Sequence, residues 1–279
     1  MESALLDRLS VLSHPQRMAV FRLLIRRCPD ALPAGEIACV LGLKPSTTSV
    51  YLASLSQVRL ITGTRHGTSL QYRVNLEAAR EVVADLFLDC CRGRADLCPP
   101  FASNPTGSLQ TMTDQKFNVL FICTGNSARS IFAEAIMRDV AGDRFNAYSA
   151  GTKPYSELNP FAIEMLESRG MDTSALRAKN VSEFQGADAP QLDFVFTVCD
   201  LAANEDCPAW SGQPISAHWG LPDPVKADGT DAEKRLAFQQ TYGAMRNRIA
   251  AFGALPLGTL DRTSLQSAAD AIGKTVETA

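Results

Sequence analysis

The stretch Val119-Leu-Phe-Ile-Cys-Thr-Gly-Asn-Ser-Ala-Arg-Ser130 decides the reading of this 279-residue chain. Val119 to Ile122 form an apolar run that reads as a buried strand, and the helix-like run Ile131-Phe-Ala-Glu-Ala-Ile-Met137 follows Ser130. Cys123 therefore stands at the carboxyl end of a strand, and the loop Thr124, Gly125, Asn126, Ser127, Ala128, Arg129 leads into a helix N-terminus. Backbone N–H groups and the positive end of the helix dipole converge there on a space suited to a tetrahedral oxyanion. The same field favours a thiolate, so Cys123 is expected to be a nucleophile of lowered pKa. Arg129 supplies a planar fork for two oxygens, Ser130 a hydroxyl for the Cys123 sulfur, and Gly125 the freedom for a tight curve.

With this loop in its strand-to-helix setting, the stretch from Lys116 to about Leu255, half of the chain, resembles the low-molecular-weight tyrosine phosphatase family and, within it, the thioredoxin-coupled arsenate reductases. The resemblance implies an α/β domain with a four-stranded parallel sheet. Reducing As(V) to As(III) takes two electrons, which a lone cysteine cannot deliver as a disulfide, so further thiols separate a reductase from a phosphatase. The chain has them. Phe194-Val-Phe-Thr-Val198 reads as a second buried parallel strand and runs into Cys199-Asp-Leu-Ala-Ala-Asn-Glu-Asp-Cys207, two cysteines bracketing a small polar segment expected to be mobile. In a doubly wound sheet the loops after successive strands gather at one carboxyl edge, which lets Cys123 and Cys199 converge.

His218-Trp-Gly-Leu-Pro-Asp-Pro224 looks like the family's acid loop, with Asp223 held extended before proline as the general acid. Family phosphatases follow this Asp-Pro with tyrosine. Here Val225-Lys226 follow, leaving no aromatic wall for a phosphotyrosine ring and favouring a small inorganic substrate. The resemblance implies that Cys123 attacks arsenate, Cys199 attacks Cys123 and expels arsenite, and Cys207 draws the oxidation out as Cys199–Cys207, which thioredoxin or a glutaredoxin reduces. Ala128 replaces a cysteine common inside this loop, so the distal pair must resolve the adduct. The resemblance further implies a monovalent cation beside the loop on Asn126, Glu134 and Ser149, with Glu183 in place of an aspartate ligand. No tightly bound cofactor is expected.

Length suggests two domains. Residues 99–115 are Pro/Ser/Thr/Gly-rich, nearly uncharged and without clear period, and read as a tether. Residues 1–100 carry 12 Lys/Arg against 9 Asp/Glu, whereas the remainder carries 15 against 21. The basic bias lies where DNA would bind. The expected division is 1–98, the linker 99–115, a catalytic domain 116–255, and a tail 256–279 in which Leu260, Leu265, Ala268, Ala269 and Ile272 keep a rough helical spacing.

Within the first segment, Leu5 to Leu12 and Arg17 to Leu24 are apolar at helical spacing, separated by His14-Pro15. A short helix over Pro33 to Leu41 ends at Gly42, and Lys44-Pro45-Ser46 opens another that runs through Tyr51 to Leu60. Two alternating runs flank His66-Gly67 as a β-hairpin. This order resembles the ArsR-type winged-helix repressors: a mainly α winged helix-turn-helix domain with a β-hairpin wing. The resemblance implies a homodimer paired through the first helix and the helix from Leu76 to Leu88. Lys44, Ser46, Thr47, Thr48, Ser49 and Tyr51 would read operator DNA, with Arg65 and His66 at the wing. Cys90, Cys91 and Cys98 would hold arsenite, the inducer, since three soft thiolates suit As(III) and not hard cations. Cys39 is expected in the core.

Hydrophobic residues make up 46% of the chain, enough for a core in each half. No stretch approaches a membrane span, and no basic-then-apolar leader is apparent at the N-terminus, so a cytoplasmic location without membrane contact is expected. Eight cysteines in that compartment read as reactive or ion-binding. The function expected is an arsenite-responsive repressor fused to an arsenate reductase. The alternatives are a DNA-tethered phosphatase and a repressor whose second domain is catalytically idle.

Overall fold

The computed structural model describes residues 2–86, 116–186, 188–205, 210 and 213–274. The chain divides into two compact units, Met1–Gly107 and Ser108–Ala279. Cys90, Cys91, Cys98, the stretch expected as a linker and Cys207 lie outside the described residues.

The first unit opens with helices α1 (Glu2–Leu12) and α2 (Pro15–Arg26). His14 between them is extended and its Nδ1 accepts the Gln16 N–H at 3.2 Å, while Pro15 fills the first helical position, where a missing N–H costs nothing. A two-residue strand β1 (Leu32–Pro33) precedes α3 (Ala34–Val40), which ends at Gly42 with φ +61°, a left-handed position that glycine occupies without strain. Helix α4 (Pro45–Gln57) again has proline at its start. Strands β2 (Ile61–His66) and β3 (Ser69–Val74) form the hairpin, and α5 (Leu76–Asp85) follows with Asn75 as its cap. The antiparallel sheet has the order β1-β3-β2. Val20, Leu23 and Leu24 of α2 share one helical face and bury against Leu52 and Leu55 of α4, as the 3–4 spacing of both runs dictates.

The second unit is an α/β layer structure. Strands β4 (Phe117–Cys123), β5 (Phe145–Gly151), β6 (Phe194–Thr197) and β7 (Ile215–His218) make an all-parallel sheet in the order β5-β4-β6-β7. The chain crosses from β4 to β5 on one side and returns to β6 on the other. The strand order therefore reverses between β4 and β6, and ligands of such sheets bind at the carboxyl ends of strands at that switch point. Helices α6 (Arg129–Ala141), α7 (Pro160–Glu167), α8 (Asp200–Asn204), α9 (Asp231–Gly253) and α10 (Arg262–Gly273) complete it.

Phe121, Phe196, Trp219 and Phe252 are fully buried together, with Trp219 stacked on Phe196 at a centroid distance of 4.1 Å. Helix α10 adds Leu265, Ala269 and Ile272 to that core, and the Trp219 Nε1–H donates to the Ala269 carbonyl at 2.9 Å. The helical spacing of Leu265, Ala269 and Ile272 thus gives a terminal helix, and that helix is one wall of the second unit's core.

Candidate active site

Residue pairing puts Ile122 opposite Thr197, and the Val198 N–H donates to the Ile122 carbonyl at 2.8 Å, so the chain leaves β4 and β6 side by side. Cys123 ends β4, and Cys199 follows β6 by two residues. Both thiols are buried, and the Thr124 hydroxyl lies 3.4 Å from the Cys199 sulfur.

The loop after Cys123 is shaped by a segment the sequence reading passed over. The carbonyls of Cys123, Thr124, Gly125 and Ser127 accept the N–H groups of Thr152, Lys153, Tyr155 and Asn159 at 2.9–3.1 Å. Turning these carbonyls toward the strand that follows β5 leaves the opposite face of the loop to N–H groups. The Asn126 N–H donates to the Cys123 sulfur at 3.1 Å, from a backbone at φ +45°. The Asn126 amide, wholly buried, donates to Ser130 Oγ at 2.9 Å and Ser149 Oγ at 2.8 Å and accepts the Lys179 N–H at 2.7 Å. Ser130 Oγ lies 2.9 Å from the Cys123 sulfur and also accepts from the Asn126 amide; toward a thiolate, which can only accept, the Ser130 hydroxyl is the donor. Pro154 and Asn159-Pro160 mark turns in the sequence, but nothing in their pattern says which loop they brace.

Burial pushes the Cys123 thiol up from its ordinary value. The Ser130 hydroxyl opposes this, Cys199 adds to it, and the Asn126 N–H and Arg129 oppose it more weakly. The lowered pKa expected from the sequence is not what this arrangement gives. The sulfur is closed away from water, and the Arg129 charge is turned elsewhere: its Nη2 pairs with Asp223 at 2.7 Å and its Nη1 donates to the Leu221 carbonyl at 3.0 Å. Asp223 itself caps the 3-10 turn Pro224–Lys226, accepting the Val225 N–H at 3.3 Å. The loop that carries Asp223 and the loop after Cys123 thus meet through the Arg129–Asp223 ion pair.

Three further expectations change. The segment opened by Cys199 begins as helix α8, with Cys199 as its cap and Ala202 and Ala203 buried, rather than as a loose loop. An aromatic ring does stand at the site. Tyr155 packs so tightly on Gly125 that a Cβ there would lie 2.5 Å from the ring, and yet Tyr155 is 62% exposed. The place expected for a monovalent cation holds the Lys179 ammonium, 2.9 Å from Glu134 Oε2, while Arg138 and Ser149 also bond the Glu134 carboxylate. Glu183, expected beside that cation, pairs with Arg177 at 2.6 Å. The Lys179 ammonium supplies a fixed positive charge at Glu134.

In the first unit, Lys44, Ser46 and Ser49 of the α4 region and Arg65 and His66 of the hairpin are exposed, and Thr47 and Tyr51 are half-buried. Thr48 is fully buried and its hydroxyl donates to the Lys44 carbonyl at 3.1 Å, so it is a core position and not a groove-reading one. The Tyr51 hydroxyl is engaged by Gln16. Cys39, expected in the core, is exposed.

Residues 118–255 match the family model for the low molecular weight phosphotyrosine protein phosphatase. The chain is 36% identical over 134 residues to an arsenate reductase of Halalkalibacterium halodurans, covering 48% of this chain and 93% of that protein. It is 37% identical over 138 residues to an arsenate reductase of Bacillus licheniformis, covering 49% and 95%. Among solved structures, the arsenate reductase from Archaeoglobus fulgidus is 23% identical with a TM-score of 0.41, covering 49% of this chain and 99% of that one.

Proposed function

This chain belongs through residues 118–255 to the low molecular weight phosphotyrosine protein phosphatase family, beside the arsenate reductases, and from that premise we propose that it reduces arsenate to arsenite by a relay of three cysteines. The observation that carries the reading is the meeting of two buried thiols at neighbouring strand ends, with Thr124 against the Cys199 sulfur at 3.4 Å. Cys123 attacks arsenate held by the N–H groups of Thr124 to Arg129, and Asp223 protonates the departing oxygen. Ser130 and Asn126 hold the Cys123 sulfur in line.

Cys199 then attacks the Cys123 sulfur. The S–S bond forms, the S–As bond breaks, and the electron pair stays on arsenic as arsenite. Cys207 attacks Cys199 next, returning Cys123 as a thiolate and leaving a Cys199–Cys207 disulfide for a thioredoxin-type reductant. Arsenate-dependent NADPH oxidation with thioredoxin and its reductase, repeated with a glutaredoxin system, tests this. Turnover with either supports it, and Cys199→Ser turning over like the wild type refutes the relay. Tyr155 against Gly125 supports a weaker side activity on aryl phosphates, read by hydrolysis of a chromogenic aryl phosphate.

The first unit we assign to operator binding as a winged helix, with arsenite as inducer. Its support is the exposure of Lys44, Ser46 and Ser49 on one helix start and of Arg65 and His66 on the hairpin, within a segment of net basic charge. A homodimer paired through α1 and α5 would present two such helices to successive major grooves. Cys90, Cys91 and Cys98 are the proposed arsenite ligands. Loss of operator binding on adding arsenite supports the assignment, and unchanged release in Cys90→Ser refutes the ligand set.

A further inference from the structure

His218, at the end of β7, is 2% exposed and is not used by the relay. Its Nδ1 lies 2.8 Å from the Thr197 hydroxyl, at the end of β6, and its Nε2 lies 3.0 Å from Asp200 Oδ1, at the start of α8. A carboxylate only accepts, so Nε2 carries the proton, and in the neutral ring Nδ1 accepts from the threonine hydroxyl. One buried imidazole thereby ties down the residue two before Cys199 and the residue one after it. Gly220 makes the room: a Cβ there would lie 2.6 Å from His218 Nε2 and 2.8 Å from Asp200 Oδ1.

We propose that His218 and Asp200, seated against Gly220, form a clasp that positions the Cys199 sulfur for its attack on the Cys123 sulfur; they are positioning residues, and the inference rests on the reductase reading. The turn from Thr197 to Asp200 carries the sulfur at its middle, where it also accepts the Ala202 N–H at 3.4 Å and faces the Thr124 hydroxyl. In the step concerned Cys199 loses its proton and forms the S–S bond, the Cys123 S–As bond breaks, two thiols are oxidised and arsenic gains the electron pair. Its rate depends on sulfur placement within a fraction of an ångström. Binding of arsenate, by the loop after β4, does not depend on the clasp.

The test uses the reduced full-length protein mixed with arsenate without reductant, following arsenite release in a single turnover, with KM taken from the thioredoxin-coupled assay. Asp200→Ala, and Gly220→Ala, which removes neither partner, are expected to slow release by about 10- to 100-fold with KM within about twofold. Asp200→Asn keeps an acceptor for Nε2–H and is expected to restore release to within about threefold of wild type. Release at the wild-type rate in Asp200→Ala, Asp200→Asn as slow as Asp200→Ala, or KM rising in step with the rate loss would overturn the clasp. Iodoacetamide alkylation of Cys199, read by peptide mass, is the second measurement, since it needs no arsenate. Faster alkylation in Asp200→Ala and Gly220→Ala than in wild type and Asp200→Asn supports the clasp, and equal rates overturn it. A wild type that releases no arsenite overturns the reductase reading instead, and the alkylation comparison then decides the clasp alone.

Discussion

The Asp223 carboxylate lies 2.7 Å from the Arg129 guanidinium, so the group that would protonate the departing oxygen occupies the fork that would hold the oxyanion. Substrate must take Arg129 from Asp223, which frees the carboxyl to turn toward the leaving oxygen. Asp223→Ala should therefore split the kinetic parameters. The rate constant of the arsenate step should fall by about 10²- to 10³-fold for loss of the acid. Inhibition by inorganic phosphate should tighten at the same time, since phosphate no longer competes with a carboxylate for Arg129. Phosphate inhibition constants of the two proteins check it.

Burial holds the Cys123 thiol above its ordinary range, and the Ser130 hydroxyl is the strongest influence pulling it down. The thiolate is the reactive form, so alkylation of Cys123 should still be climbing with pH past the ordinary thiol value of ~8.5. Ser130→Ala removes a stabiliser of the thiolate and should move that climb to higher pH. The neutral-pH rate should fall about tenfold for each unit of displacement. Rate–pH profiles of iodoacetamide labelling in the two proteins measure it.

Lys179 and Glu134 are both buried and 2.9 Å apart, with side-chain exposures of 9% and 1%. Removing one partner of such a pair strands the other charge in the core. Lys179→Ala should cost about 3 kcal/mol of unfolding free energy, at the low end of the usual range because Arg138 still bonds Glu134. Wild-type activity should be the same in potassium, sodium and tetramethylammonium chlorides. Denaturant melts and a cation series check the two halves of this.

Helix α10 covers the sheet edge at β7, and Leu265 is buried to 1% exposure. Leu265→Ala should lower stability by about 3 kcal/mol, as cavity-forming truncations in packed cores do. Trp219→Phe keeps an aromatic ring but leaves the Ala269 carbonyl without its indole donor; about 1 kcal/mol is the expected loss. Both losses would appear as shifted urea midpoints.

Most of the architecture was legible because it follows from local chemistry. Apolar runs as short as Val119 to Ile122 and Phe194 to Phe196 have no polar face to give to water, and so lie in the middle of a parallel sheet. Pro15, Gly42 and Pro45 punctuate the first unit's helices for reasons of backbone geometry alone. Thr48 differs from its expected place because one turn of helix carries both exposed and core-facing positions, and a threonine's polarity does not tell them apart. Lys179, Tyr155 and the His218–Asp200 pair were invisible for a different reason. Each acts on a residue far away in sequence, such as Glu134, Gly125 or Thr197, and long-range partners leave no spacing to read. The expected drop in the Cys123 pKa failed because loop dipoles are read from a motif, whereas desolvation depends on how tightly the finished fold closes over the sulfur.

The most direct measurement of the cysteine relay is a single exposure of the reduced protein to arsenate with no reductant present, followed by acid quench, alkylation and peptide mass mapping. The relay requires arsenite to appear in step with oxidised chains that carry a Cys199–Cys207 disulfide and a free, alkylatable Cys123. Oxidised chains lacking any bond at Cys199, or a Cys199→Ser protein that keeps turning over with thioredoxin at the wild-type rate, would contradict it.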